Sequence, residues 1–124
     1  MIWPIALVHQ IHALRISREI GDKRSEGRTL GNLGIAYSDL GYKQVAQGFY
    51  TEAQEIATAL GDLLHVGIWL HNAGEDALGF DGSRGQQLLQ DAIKVFRDLG
   101  KADLAAESES ILAAAASRNS GASL

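Results

Sequence analysis

A short phrase built around glycine occurs three times along this chain and gives it a period. The phrase reads Ile20-Gly21-Asp22, then Leu60-Gly61-Asp62, then Leu99-Gly100-Lys101, so its glycines are 40 and 39 residues apart. A period of roughly 20 to 50 residues is typical of stacked structural repeats rather than of one irregular globular core. The period predicts an array of similar units, and it directs the search for function toward a surface rather than a buried active site.

Two amphipathic segments lie in each interval between these glycines, with apolar residues spaced three and four apart. The glycines mark helix ends, because glycine readily adopts the left-handed conformation that terminates a helix. Asp22 and Asp62 follow two of them and predict N-caps for the helices that come next. Short connections make consecutive helices antiparallel neighbours, so the fold is predicted to be all-α with about six helices. The predicted helices cover 4–20, 23–40, 43–60, 63–79, 83–99 and 102–116.

Alignment of the units on their glycines shows that the array starts and stops halfway through a unit. Residues 4–20 align with a second helix and residues 102–116 with a first helix, so half a repeat is expected at each end. A terminal helix without its partner exposes an apolar face. We expect either that the chain is a fragment of a longer array or that its ends associate with another copy. The residues near the first end are Trp3, Leu7, Ile11 and Leu14. One domain is predicted over 1–116, with a flexible tail over 117–124.

Small residues recur at matching positions of the units, which lets neighbouring helices approach closely. In the second helices these positions hold Ala6, Ala13, Ala46, Ala53, Gly85 and Ala92. In the first helices they hold Gly34, Gly74 and Ala113. Trp69 is expected to pack between units, and an exposed binding hot spot is the alternative interpretation.

The middle of the chain carries the most distinctive pattern. It runs Leu30-Gly31-Asn32-Leu33-Gly34-Ile35-Ala36-Tyr37, continues with Leu40-Gly41-Tyr42 and then with Ala46, Tyr50 and Ala53, and returns in weaker form as Asn72-Ala73-Gly74. These residues resemble the tetratricopeptide repeat family, and the resemblance extends over residues 4–116. The forty-residue period is similar to the longer variety of kinesin light chains, mitotic-spindle adaptors, and the C-terminal arrays of bacterial signal-transduction ATPases and antibiotic regulators. The resemblance implies a right-handed α-solenoid of antiparallel helix pairs.

The resemblance also implies a function, that of a cytoplasmic signalling scaffold which binds a peptide or protein segment on its concave face. Such a module would belong to a larger bacterial regulator. The partner-binding positions that it implies are Arg28, Asn32, Ile35, Asp39, Ile68, His71, Asn72 and Glu75, with Gly31, Ser38 and Leu78 at further inward-facing positions.

Asn32 and Asn72 are equivalent positions, 40 residues apart, within this predicted face. An amide side chain both donates and accepts hydrogen bonds, so it can pair with the backbone of an extended peptide whatever its sequence. Alternatively, each asparagine bonds only to water or to the neighbouring helix. A second function hypothesis is self-association, in which the module forms homo-oligomers through its terminal half-repeats.

Other classes of function receive little support from the sequence. A net charge of −4 argues against a nucleic-acid partner. The apolar start Ile2–Val8 is too short for a membrane span. There is no cysteine, which fits a cytoplasmic location and excludes disulfides and thiolate zinc sites.

Catalysis and metal binding are not predicted either. His9 and His12 stand three apart on one helix, a spacing that can hold a metal, but isolated helix histidines are far commoner. Glu75 and Asp76 form an acidic pair with no companion base or nucleophile, and adjacent residues point to different faces of a helix. We therefore predict no enzyme, no cofactor and no metal site.

Overall fold

The computed structural model describes residues 5–122, with side-chain surroundings through Arg118. This part of the chain is all-helical, as predicted, and contains no strand. Its elements are α1 (Ile5–Ile20), α2 (Lys23–Asp39), α3 (Lys43–Leu60), α4 (Leu63–Ala77), α5 (Gly82–Asp98) and α6 (Ala102–Ala122). Of these helices, none is both long and apolar enough to cross a membrane.

The predicted helix boundaries at the recurring phrase are confirmed. Gly21, Gly61 and Gly100 have φ angles of 73°, 71° and 71°, in the left-handed region that glycine tolerates. The Asp22 side chain accepts a hydrogen bond from the Ser25 backbone N–H at 3.1 Å, and Asp62 does the same for His65 at 3.3 Å. These caps satisfy N–H groups that a helix start otherwise leaves without partners.

The predicted helix ends differ most from the structure at two places. Helix α4 ends at Ala77, where the backbone N–H groups of Phe80 and Asp81 both turn back to the Ala77 carbonyl. Helix α6 continues past residue 116 to Ala122, so most of the predicted flexible tail is helical. The alanine run 113–116 favours helix, and no glycine or proline interrupts the chain before Gly121. The predicted start at Pro4 and the last two residues of the predicted tail lie outside the described residues.

The helices pack in chain order, each against the next, as a solenoid-like array. Packing is most extensive between α2 and α3 and between α4 and α5, which form two antiparallel pairs. Helix α1 packs on α2 and helix α6 packs on α5, so each outer helix adds a single layer to the array.

Glycines set the closest approaches between the inner helices. A Cβ atom on Gly31 of α2 would lie 2.2 Å from the Trp69 ring of α4, and one on Gly34 would lie 2.6 Å from the Tyr50 ring of α3. Both rings occupy the space that the missing side chains leave. Trp69 is only 5% exposed, so the packing interpretation of this residue is correct and the exposed hot spot is not.

The outer helices use their small residues differently from the inner ones. Ala46 and Ala53 of α3 are fully buried against α2, whereas their counterparts Ala6 and Ala13 in α1 are exposed. Ala113 of α6 is likewise exposed, although Gly34 and Gly74 at the matching positions are buried.

The sequence predicts Trp3, Leu7, Ile11 and Leu14 near the first end of the array. Of those that the structure describes, Ile11 is exposed and the two leucines are buried. Leu7 and Leu14 belong to the core cluster, because they lie on the side of α1 that packs on α2. Trp3 lies outside the described residues. The apolar residues that α1 does expose are Ile5, Val8, Ile11, Ile16 and Ile20.

Candidate functional site

Helices α2 and α4 touch along a seam with α3 beneath it. The close approach at Gly31 and Trp69 brings the C-terminal halves of α2 and α4 to one surface. There the structure forms an open recess of about 200 Å³, which we call the acidic recess. Its lining residues are Ile35, Ser38 and Asp39 of α2, Tyr50 of α3, and Asn72, Glu75 and Asp76 of α4.

Half of the predicted partner-binding residues meet in this recess. They are Ile35, Asp39, Asn72 and Glu75. The other four lie elsewhere: Asn32 is exposed on α2 outside the recess lining, and Ile68 packs half-buried against the core. The predicted surface is therefore divided into parts with different surroundings.

His71 connects two helices. Its Nδ1 lies 2.7 Å from the Ser108 hydroxyl of α6, which is itself fully buried. This contact connects α4 with α6. His71 therefore has a structural partner within the fold, which the position in the sequence did not reveal.

Arg28 lies at the opposite end of the seam from the acidic recess. It lines a narrow crevice of about 10 Å³ with Trp69 and Asp62, which leaves room for no more than a single water molecule. Nearby, Arg24 forms an ion pair with Asp62 at 3.5 Å, and His65 Nδ1 lies 2.8 Å from the same carboxylate. This end of the seam, which we call the closed end, is narrow, and its charges of opposite sign lie together.

Carboxylates dominate the charge of the acidic recess. Asp39 and Glu75 are exposed at its rim, and Asp76 is 6% exposed in its wall. The Lys43 ammonium lies 3.3 Å from Asp76 Oδ1 and is the only cation paired with these three side chains among the described residues. The recess therefore carries an excess of two negative charges when its carboxylates are ionised.

Asp76 has one oxygen without a hydrogen-bond partner. Oδ2 is buried, and no donor in the described part of the chain reaches it. Buried carboxylate oxygens are almost always hydrogen-bonded, because removing them from water without a partner costs free energy. This oxygen therefore retains the capacity to accept a hydrogen bond in the wall of the recess.

The Tyr50 ring forms part of the recess and is 2% exposed. It stacks on Trp69 with 6.2 Å between ring centroids. Burial raises the pKa of the Tyr50 hydroxyl, and the negative charges of Asp76 and Asp39 raise it further, against a smaller lowering by a hydrogen bond with Ser38. The hydroxyl stays protonated, chiefly because it is buried and to a lesser extent because carboxylates lie near it.

Sequence reasoning missed the roles of Tyr50 and Asp76. Tyr50 stands out in the sequence only as a member of the repeated pattern, and its ring packs against Gly34. Asp76 was considered only as a neighbour of Glu75 on another helix face. A charged residue among the apolar positions Ala73 and Ala77 of α4 was the signal that marked it as unusual.

The polar side chains of the recess offer groups that can bind a partner. Within residues 5–118, no three histidine or carboxylate side chains come close enough together to hold a metal ion. His9 and His12 are both exposed on α1, and His12 Nδ1 lies 3.1 Å from the Arg15 guanidinium. The recess instead combines carboxylates, an amide and a hydroxyl around an open space.

Comparison with known proteins adds no further assignment. The chain matches no protein-family model, and no curated protein is significantly similar to it. The structure defines the class of this protein as an all-α array of consecutively packed helices with an acidic recess on the face of α2 and α4.

Proposed function

We propose that this protein is a protein–protein interaction module of the tetratricopeptide-repeat type, which binds an extended peptide segment along the face of α2 and α4. The observation that carries the proposal is the recess itself, an open space at the seam of these helices lined by four of the residues that the sequence singled out. The module has no catalytic role of its own. It acts in the cytoplasm as the interaction part of a signalling protein.

The two asparagines supply the contacts that do not depend on the peptide's sequence. Asn32 is exposed and Asn72 is half-buried, so both amides have capacity for an additional partner. Each can accept a peptide N–H and donate to a peptide carbonyl. Ile35, which is 38% exposed between them, adds apolar contact area.

The test uses the whole chain and a library of acetylated, amidated nonapeptides from which the best binder is selected. Asn32→Ala combined with Asn72→Ala is expected to weaken that peptide about tenfold or more, since each amide loses its backbone hydrogen bonds. Melting should stay unchanged. Gln87→Ala with Gln90→Ala, two exposed amides on α5, is the matched control and should leave the affinity unchanged. Unchanged affinity in the asparagine variant contradicts the proposal.

A second function, self-association through the outer helices, is favoured by one observation. Helix α1 exposes Ala6 and Ala13, the small positions that are buried in α3. Helical spacing places the exposed side chains of Ile5, Ile16 and Ile20 on the same side. A helix face of this kind packs closely when another helix covers it. Light scattering over a concentration series is expected to show growth in mass that Ala13→Arg prevents. A strict monomer at high micromolar concentration contradicts this second function.

A further inference from the structure

The acidic recess has more negative charge than its surroundings balance. Asp39 and Glu75 at its rim make no ion pair among the described residues, and Lys43 reaches only one oxygen of Asp76. Glu75 also lines a neighbouring recess with Arg118 of α6, which forms no ion pair with it. Positive charge brought into the recess would therefore be attracted by three carboxylates and opposed by one ammonium group.

The buried oxygen of Asp76 specifies what kind of group can complete the recess. Oδ2 has no donor from the described chain and no exposed surface of its own, although Asp76 lines the recess. A partner's N–H group that enters the recess and displaces the wall slightly would satisfy this oxygen. A charged N–H donor forms a stronger bond to a carboxylate than a neutral donor does. Asn72, which lines the same space, offers an amide oxygen as a further acceptor.

The side chains of the recess suit an organic cation better than a metal ion. A metal ion needs several oxygen ligands at about 2.0 to 2.6 Å, and no such cluster exists within the described side chains. A guanidinium group carries five N–H donors in a planar fork and can serve acceptors on different walls. Its apolar stem can lie along Ile35, which borders the opening.

We propose that the acidic recess receives the cationic side chain of an arginine in the partner peptide, with Asp76 as the buried acceptor and Asp39 and Glu75 as the rim that attracts the cation. This inference rests on the proposed peptide-binding function and names the chemistry of the peptide. The acidic recess therefore selects a positively charged side chain, and Arg28, a predicted partner-binding cation, lies away from it at the closed end of the seam.

The first test needs no knowledge of the natural partner. The ¹⁵N-labelled whole chain is titrated with N-acetylarginine methylamide and, separately, with its neutral isostere N-acetylcitrulline methylamide. The arginine compound is expected to shift the amide resonances of residues 35–39 and 72–76, with a dissociation constant at least about tenfold lower than the citrulline compound. Equal shifts from the two compounds, or shifts that lie elsewhere, overturn the proposal. N-acetyllysine methylamide in a third arm shows whether an ammonium group serves as well.

The second test uses matched variants. Asp39→Asn with Glu75→Gln removes two charges from the rim, and Glu55→Gln with Asp91→Asn removes two exposed carboxylates from α3 and α5. The rim variant is expected to lose at least about tenfold in affinity for the arginine compound, and the control should change less than about twofold. Asp76→Asn, which keeps the shape of the side chain, should reduce binding as well. Equal losses in the rim and control variants would mean that only net charge matters, and would overturn the assignment.

Peptide libraries separate failure of this inference from failure of the proposed function. Three nonapeptide libraries are compared that differ only in a fixed central arginine, glutamine or glutamate. Preferential retention of the arginine library supports the inference. If the arginine and glutamine libraries are retained equally, the arginine site is overturned. If the double asparagine variant loses that retention, the peptide-binding function is kept. If the capped arginine binds but no library is retained, the arginine site stands and the peptide-binding function fails.

Discussion

The two ends of the seam between α2, α3 and α4 are built from the same helices and differ in how their charges are used. At the closed end, Arg24 and His65 each lie close to the Asp62 carboxylate, beside a crevice of about 10 Å³. At the other end, the acidic recess has about 200 Å³ of space and an excess of carboxylates.

This difference separates residues that hold the fold from residues available to a partner. At the closed end, Asp62 caps α4 and pairs with Arg24 across α2 and α4, so this carboxylate finds its partners within the chain. Charges in the acidic recess are only partly compensated, and a buried oxygen there has no partner in the described chain. Changes at the closed end should therefore alter stability, and changes in the recess should alter binding.

The largest effect is expected from removing the Trp69 ring, which lines the closed-end crevice and stacks on Tyr50 of the acidic recess. Trp69 fills the notch at Gly31 and stacks on Tyr50, so Trp69→Ala should lower the free energy of unfolding by about 3 to 5 kcal/mol. Phe80→Ala, which removes a ring that is 41% exposed, should cost much less. Urea denaturation followed by circular dichroism measures both. A similar cost in the two variants would contradict the central position of Trp69.

A side chain added at Gly31, on the α2 side of the seam, should lower the free energy of unfolding by less. A methyl group at Gly31 would lie 2.2 Å from the Trp69 ring, so Gly31→Ala should destabilise the protein by about 1 to 3 kcal/mol even though alanine favours helix. Gly48 is the matched control, because a Cβ there meets nothing within 4 Å. Gly48→Ala should stabilise the protein by about 0.5 to 1 kcal/mol. The same sign of change at the two glycines, measured by urea denaturation, would refute the close approach of α2 and α4.

A single carboxylate from each end gives the most direct contrast in stability. Asp62 caps α4 and pairs with Arg24, so Asp62→Ala should cost about 0.5 to 2 kcal/mol. Asp39 at the recess rim has no such partners among the described residues, and Asp39→Ala should change stability by no more than about 0.5 kcal/mol. Thermal melts of the two variants test the distinction. A larger loss in Asp39→Ala would reverse it.

Acid should weaken the fold through the paired carboxylates. Burial tends to raise the pKa of Glu26, but hydrogen bonds and charges from Lys23 and Arg18 outweigh it and lower the pKa below the ordinary 4.5. The pKa of Asp62 is lowered below 3.8 because contacts with His65 and Arg24 outweigh its burial. A carboxylate with a depressed folded-state pKa stabilises the fold above its unfolded-state pKa, and this contribution is lost as the pH falls through the folded value.

The unfolding free energy should therefore decline as the pH falls below about 4.5, the ordinary pKa of glutamate. Urea denaturation at a series of pH values measures this decline, and Glu26→Gln should make it shallower. A variant with the same slope as the original protein would show that Glu26 does not contribute.

The number and order of the helices could be predicted from the sequence. The side-chain contacts between helices could not. Gly61 and Asp62 predicted a helix end and a cap because both signals are local to the backbone. The burial of Trp69 followed from its register. The bond from His71 to Ser108 joins residues 37 positions apart, so local pattern carried no sign of it.

The composition of the acidic recess was predictable only in part. Ile35, Asp39, Asn72 and Glu75 lie on exposed or half-buried parts of α2 and α4, where helix register alone indicates the face. Tyr50 comes from the helix beneath, and Asp76 points into the space between helices. The positions of these two side chains in the recess depend on how closely α2, α3 and α4 pack. That distance is set by contacts of Gly31 and Gly34 with the rings of Trp69 and Tyr50, which are distant in the sequence.

The proposed function requires that a peptide bind at the acidic recess and not at the closed end of the seam. The direct measurement is the change in amide resonances of the ¹⁵N-labelled whole chain as the selected nonapeptide is added. The account predicts the largest shifts at residues 35–39 and 72–76, with little change at 24–28 and 62–65. Shifts concentrated at the closed end or on the outer helices α1 and α6 would contradict it.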